Sequence, residues 1–146
     1  MNIDYFAGLR FLEGYAAHFE ELEATELRKL RLMHERNPEA VAALIPCEQA
    51  LVMKTDVLER NRIKLFGNKN LDEVTAGAGA LTKDYERLCK RIRNAVEQVK
   101  ELNEVTGLMA AERLKRAKKA NKQLETYNDK GSVSTKYRNN LPDIKV

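Results

Sequence analysis

The chain has 146 residues, of which 43% are hydrophobic and 33% charged, with no tryptophan and a formal net charge of +4. One domain is the expectation at this length, and a balance so rich in ions describes a helical surface protein rather than a thick globular core. No uninterrupted apolar run reaches the ~18 residues a membrane span requires, and Asp4 and Glu13 break up the start, so a cytoplasmic chain without membrane insertion is expected.

The first helix is predicted from an N-cap at Asn2 or Asp4, with Tyr5, Leu9, Leu12, Ala16 and Phe19 spaced four and three apart on one face. Strict continuation lands on Glu23 and Glu26, whereas the apolar residues are Leu22, Leu27, Leu30 and Met33, so the seam is expected to slip around the helix. Asn37-Pro38 ends this helix and opens a short amphipathic turn to about Ala43. Pro46 is expected to start the next helix, with Cys47, Leu51, Leu58 and Leu65 on its apolar side and Gly67 as its stop. Asn70 with Glu73 reads as a capping box for a brief turn, and Thr75 to Ala80 is flexible enough to reverse the chain.

The last helix is predicted from Leu81 to Leu124. Its stripe of Leu81, Tyr85, Leu88, Ile92, Ala95, Val99, Leu102, Thr106 and Met109 amounts to about four heptads. Beyond it the register slides to Ala110, Leu114, Ala117, Asn121 and Leu124, which can bury little. The fold class is therefore all-α: an elongated antiparallel helical bundle or coiled coil, with a helical domain over 1–130 and a polar tail over 131–146 expected to be disordered. At ~1.5 Å per residue the shorter helices cannot cover the last one, so the stretch from about Ala110 to Leu124 is expected to overhang, an apolar strip flanked by Lys and Arg.

Charge is unevenly placed. From Ala111 to Val146 ten Lys/Arg face four acids, while the N-terminal end carries Glu13, Glu20, Glu21, Glu23 and Glu26 against Arg10; a parallel run of the first and third helices is expected to let these oppositely charged ends attract. Cys47 and Cys89 have neither disulfide nor zinc spacing and read as small core residues. His18 and His34 read as surface or helix-flank residues, Gly77-Ala78-Gly79 lacks the lysine and the strand of a phosphate loop, and no catalytic constellation or cofactor site is expected. The basic cluster from Arg113 to Lys122 could neutralise phosphates, but it suits the helix dipole and has only Tyr127 and Tyr137 for base stacking, so nucleic acid is the less favoured partner.

Three pieces of sequence carry a resemblance to a family. They are Lys54, Leu58, Glu59, Arg62 and Leu65 before a short loop, Asn103 followed by Leu108 and Met109, and the stop Thr126-Tyr127-Asn128-Asp129-Lys130-Gly131. Their order over residues 5–131 resembles the FlgN family of flagellar export chaperones, although the basic cluster is heavier than in that family and the tail contains Tyr137, Leu141 and Ile144. The resemblance implies a non-enzymatic cytosolic protein that binds the C-terminal helical region of hook-filament junction proteins and passes it to the flagellar type III export gate. It implies helix-in-groove recognition, with Val105, Met109, Leu114, Ala117 and Leu124 offered to the client and Tyr127 to the export gate. The alternatives are a strip that closes a homodimer or folds back on its own bundle, a self-associating structural coiled coil without a client, and a weak nucleic-acid binder.

Overall fold

The computed structural model describes residues 2–123, and every regular element among them is helical. Helix α1 spans Tyr5–His34, α2 Pro38–Phe66 and α3 Leu71–Ala76; a 3-10 turn at Gly79–Leu81 leads into α4, Thr82–Gln123. The expected all-α bundle is what the chain forms.

Local chemistry sets the boundaries. Asp4 caps α1 by accepting from the backbone of Phe6 and Ala7. At the other end the Arg36 N–H donates to the Met33 carbonyl and the Asn37 N–H to that of Leu32, a Schellman closure with Arg36 in the left-handed region at φ 53°. Asn37 then accepts from the Ala40 N–H, capping α2 while Pro38 occupies its first turn. One residue thus ends a helix and begins the next, which makes the corner tight. Gly67, at φ 64°, stops α2, and the Asn70 side chain accepts from the Glu73 N–H to start α3.

Pro46 does not begin a helix. It lies inside α2, which runs unbroken through it, and the short turn expected before it is the first two turns of the same helix. A proline there removes one N–H and crowds the carbonyl four residues earlier, yet Leu44 and Glu48 on either side are both buried against the bundle. Tertiary packing on both flanks outweighs the local preference.

Pairs of residues fix the topology. Tyr15 meets Glu59, His18 meets Thr55 and Lys29 meets Glu48, so α1 and α2 are antiparallel. Tyr85 donates to the Tyr5 carbonyl at 2.5 Å, Arg91 pairs with Glu20 and Arg113 donates to the Met33 carbonyl, so α4 runs parallel to α1. This parallel register corrects the expected attraction between charged ends. The α1 carboxylates Glu13 and Glu20 meet Arg87 and Arg91, while the basic cluster lies beyond the opposite end of α1.

The core is strongest where the chain begins. Tyr15, Phe19, Phe66 and Tyr85 are buried and joined by Phe11 and Tyr5 in a run of edge and stacked ring contacts. Gly8 makes room for it: a Cβ there would stand 2.5 Å from the Tyr85 hydroxyl and 2.7 Å from the Phe66 ring. The stripe of α4 predicted from Tyr85 to Thr106 is its inward face, with Tyr85, Leu88, Ile92, Ala95, Val99 and Thr106 all buried.

Candidate functional site

The expected overhang begins later than Ala110. Ala110, Ala111 and Leu114 are still half-buried, and Arg113 still reaches the end of α1. From Lys115 to Lys122 every residue is exposed. The reason is length: α4 has 42 residues against 30 in α1 and 29 in α2, and at ~1.5 Å per residue its surplus over either is nearly 20 Å.

The proposed contact residues fall in two groups. Val105 is 44% exposed and Met109 half-buried, four residues apart on one flank. Leu114 is half-buried and Ala117 exposed, three residues apart on another. The five-residue step from Met109 to Leu114 turns the helix by about 140°, so these four do not form one continuous strip. The coherent strip of the overhang is Ala110, Leu114 and Ala117. Leu124 and Tyr127 lie outside the described residues, as does the tail over 131–146.

Sequence periodicity missed the polar interior. Glu26, Lys29 and Glu48 are 0%, 2% and 2% exposed. Lys29 Nζ donates to Glu48 Oε2 at 2.6 Å and stands 3.2 Å from Glu26 Oε2. Two buried carboxyls thus share one ammonium, and both Glu26 oxygens and Glu48 Oε1 lack a hydrogen-bond partner of good geometry. Burial, reinforced by the neighbouring Glu48, pushes the Glu26 carboxyl up to about 8, so it is protonated at neutral pH. Glu48 goes the other way. Burial alone would raise it, but the adjacent protonated Glu26 carboxyl, the hydrogen bond from Lys29 and the Lys29 charge outweigh that and hold it below the ordinary carboxylate range.

This corrects one position of the expected slip of the α1 seam. Leu22 and Met33 are buried as the slip predicts, but the position between them is taken by Glu26, 0% exposed, and not by Leu27, which is 38% exposed. Inward positions on α2 follow the same pattern, with Glu48, Thr55 and Arg62 buried beside Leu44, Leu51 and Phe66, while Cys47 is exposed and only Cys89 belongs to the core. His18 is not a surface residue: it is 1% exposed and 2.7 Å from the Thr55 hydroxyl, and burial lowers its proton affinity, with Lys54 adding to the effect. The i,i+3 pair Glu26/Lys29, lying where the heptad seam points, was the available signal.

The residues that carried the family resemblance have legible structural work. Arg62 donates to Glu59 from both Nε and Nη2 at 3.1 Å, and Glu59 accepts from the buried Tyr15 hydroxyl, tying α2 to α1. Burial and the adjacent carboxylate push the Tyr15 phenol upward, so it stays a donor. Leu58 and Leu65 pack against the core. Leu108 does neither: it is 65% exposed on the outer side of α4.

Among the described residues no group of three or more His, Cys, Asp or Glu is placed to hold a metal ion, and no helix is long and apolar enough to cross a membrane. A cleft of about 210 Å³ lies where α3 meets α4, beside Thr75, Cys89 and the Arg93–Asp72 pair. That is below the ~300 Å³ at which small-molecule sites begin. Comparison with protein-family models, curated proteins and solved structures finds no match for the chain.

Proposed function

We propose that this protein is a non-enzymatic binding protein of the secretion-chaperone type, acting in the cytoplasm. Its client would be an amphipathic helix, and the chemistry stoichiometric masking of apolar surface without a nucleotide. The observation that carries this reading is the end of α4, where a helix continues past its bundle with Ala110, Leu114 and Ala117 along one side and, among the described residues, no element covering residues 115–122. A client helix laid along that strip would meet the end of the bundle at Leu114 and extend beside Ala117, with lysines on the flank to pair with client carboxylates. Small residues allow close approach of the two backbones, and apolar burial at roughly 25 cal/mol per Å² supplies the affinity.

The resemblance to FlgN-type sequences names the client class: the C-terminal helical region of hook-filament junction proteins, handed on to the flagellar type III export gate. Contacts of Leu124 with the client and Tyr127 with the gate belong to this proposal. Co-expression with such a segment and light scattering on the eluted species provide the test. The expected result is a complex of defined stoichiometry at moderate salt, lost on Leu114→Asp/Ala117→Asp while the far-UV helical signal is kept. Separate elution of the parent, or undiminished binding by the double variant, would refute the site.

A further inference from the structure

The outer face of α4, opposite its buried stripe, carries a second pattern. Glu97, Glu101, Glu104, Leu108, Ala111, Lys115, Lys118 and Lys122 follow one another in steps of four and three without a break, the spacing of a coiled-coil seam. All are exposed except the half-buried Ala111. They face away from the bundle, since Val99 and Thr106 on the opposite side of the same turns are buried.

The order of charges along this seam is the informative part. Three glutamates come first, then Leu108 and Ala111, then three lysines. Read outward from the point between Met109 and Ala110, every glutamate has a lysine at the same distance on the other side: Glu104 with Lys115, Glu101 with Lys118, Glu97 with Lys122. Within one helix these partners are too far apart to meet. Like charges are neighbours instead, three or four residues apart, an arrangement that destabilises an isolated helix. Among the described residues none of the six takes part in an ion pair, whereas Glu112 of the same segment is held by Arg116.

Turned end over end, the seam is its own complement. We infer that two copies of this chain associate through antiparallel α4 helices about a dyad between Met109 and Ala110. Glu97, Glu101 and Glu104 of one copy then face Lys122, Lys118 and Lys115 of the other, and Leu108 packs on Ala111 at the centre. Each layer pairs an a position with a d position, as antiparallel coiled coils require, and the dyad makes each contact twice. The seam spans about 37 Å from Glu97 to Lys122. Its bundles project on opposite sides, because the paired face points away from the core of each.

The same pattern decides against the other occupants of a lysine ridge. A phosphate backbone or an anionic lipid surface long enough to follow the seam would meet Glu97, Glu101 and Glu104 along its other half. A second copy is the partner whose charge order reverses where this one does. With two dyad-related Leu/Ala layers at its centre and charged layers elsewhere, the dimer is weak and sensitive to ionic strength.

Charge exchange on exposed positions tests this without disturbing the fold. Sedimentation equilibrium of the parent at low salt, over about two decades of protein concentration, is expected to show a monomer–dimer equilibrium whose dissociation constant rises roughly tenfold or more at several hundred millimolar NaCl. The triple variants Glu97→Lys/Glu101→Lys/Glu104→Lys and Lys115→Glu/Lys118→Glu/Lys122→Glu should each be monomeric. Mixed, they should form a 1:1 heterodimer, and the variant carrying all six exchanges should dimerise like the parent. A monomeric parent at every concentration overturns the inference. So does a triple variant that dimerises as tightly as the parent, or a mixture that stays monomeric.

Discussion

The buried trio of Glu26, Lys29 and Glu48 should set the pH dependence of folding. An acid whose folded pKa stands above its unfolded value binds its proton more tightly in the folded state, so its contribution is full below the unfolded pKa and is lost as pH climbs through the folded one. For Glu26 that window runs from 4.5 to about 8. At about 1.36 kcal/mol per pH unit the loss has an upper bound on the order of 4–5 kcal/mol. Glu48 is displaced in the opposite direction, so its contribution is lost only as pH falls below its unfolded value and leaves the slope across this window to Glu26. Glu26→Gln keeps the shape of the protonated acid, leaves the Lys29–Glu48 pair intact and offers an amide N–H near Glu48 Oε1, which lacks a partner. The variant should match the parent at about pH 5 and exceed it by about 2–4 kcal/mol at about pH 9. Urea unfolding followed by far-UV circular dichroism across that range gives both curves. Parallel curves, or a parent that gains stability between about pH 6 and 9, would refute the assignment of the proton to Glu26.

Two further substitutions probe packing and backbone. Gly8→Ala places a methyl group against the Tyr85 hydroxyl and Phe66 ring and should destabilise by about 1–3 kcal/mol despite the better helix former. Gly14→Ala, exposed with nothing within 4 Å of the added Cβ, should stabilise by about 0.5–1 kcal/mol; thermal melts of the pair compare the same change with and without an obstacle. Pro46→Ala should stabilise by roughly 1–3 kcal/mol, because an interior N–H and its bond to the Ala42 carbonyl are restored. A neutral or negative change in denaturant midpoint would mean that Pro46 starts a helix after all.

Caps and stops were legible in the sequence because they are local chemistry. Asp4, Asn37, Gly67 and Asn70 act within three or four residues of themselves, and the structure uses each as its spacing predicts. The stripe of α4 is legible because all but Thr106 of it is apolar or aromatic. What hydrophobic periodicity cannot see is a polar residue held in the seam by a partner from another helix. Periodicity alone favours Leu27 over Glu26 as the inward residue between Leu22 and Met33; Lys29 and Glu48 make Glu26 the buried one only once α1 and α2 are side by side. Pro46 was read as a boundary for the same reason, since the contacts of Leu44 and Glu48 that carry the helix through it are long-range. The overhang was legible as a difference of lengths, but its starting point depended on the register between α1 and α4.

That register also separates the two uses proposed for the end of α4. The strip of Ala110, Leu114 and Ala117 and the seam through Leu108, Ala111, Lys115, Lys118 and Lys122 interleave in sequence, and at 100° per residue their mean directions stand about 110° apart, with Leu114 bordering Ala111 and Lys118 where the two adjoin. Leu114 lies beside the bundle end and is half-buried there, while Lys115 and Lys118 point into solvent. A second copy on the outer seam therefore leaves the inner strip open. It also brings its own Glu97, Glu101 and Glu104 alongside the overhang, so that a segment of eight exposed residues carrying five cations acquires carboxylates it lacks in the monomer. The lysines would then be neutralised from one side and a client helix held from the other. Ala117 has no seam residue three or four positions away, so Ala117→Asp alone and the charge exchanges at Lys115, Lys118 and Lys122 act on separate faces, and either proposal can fail while the other stands.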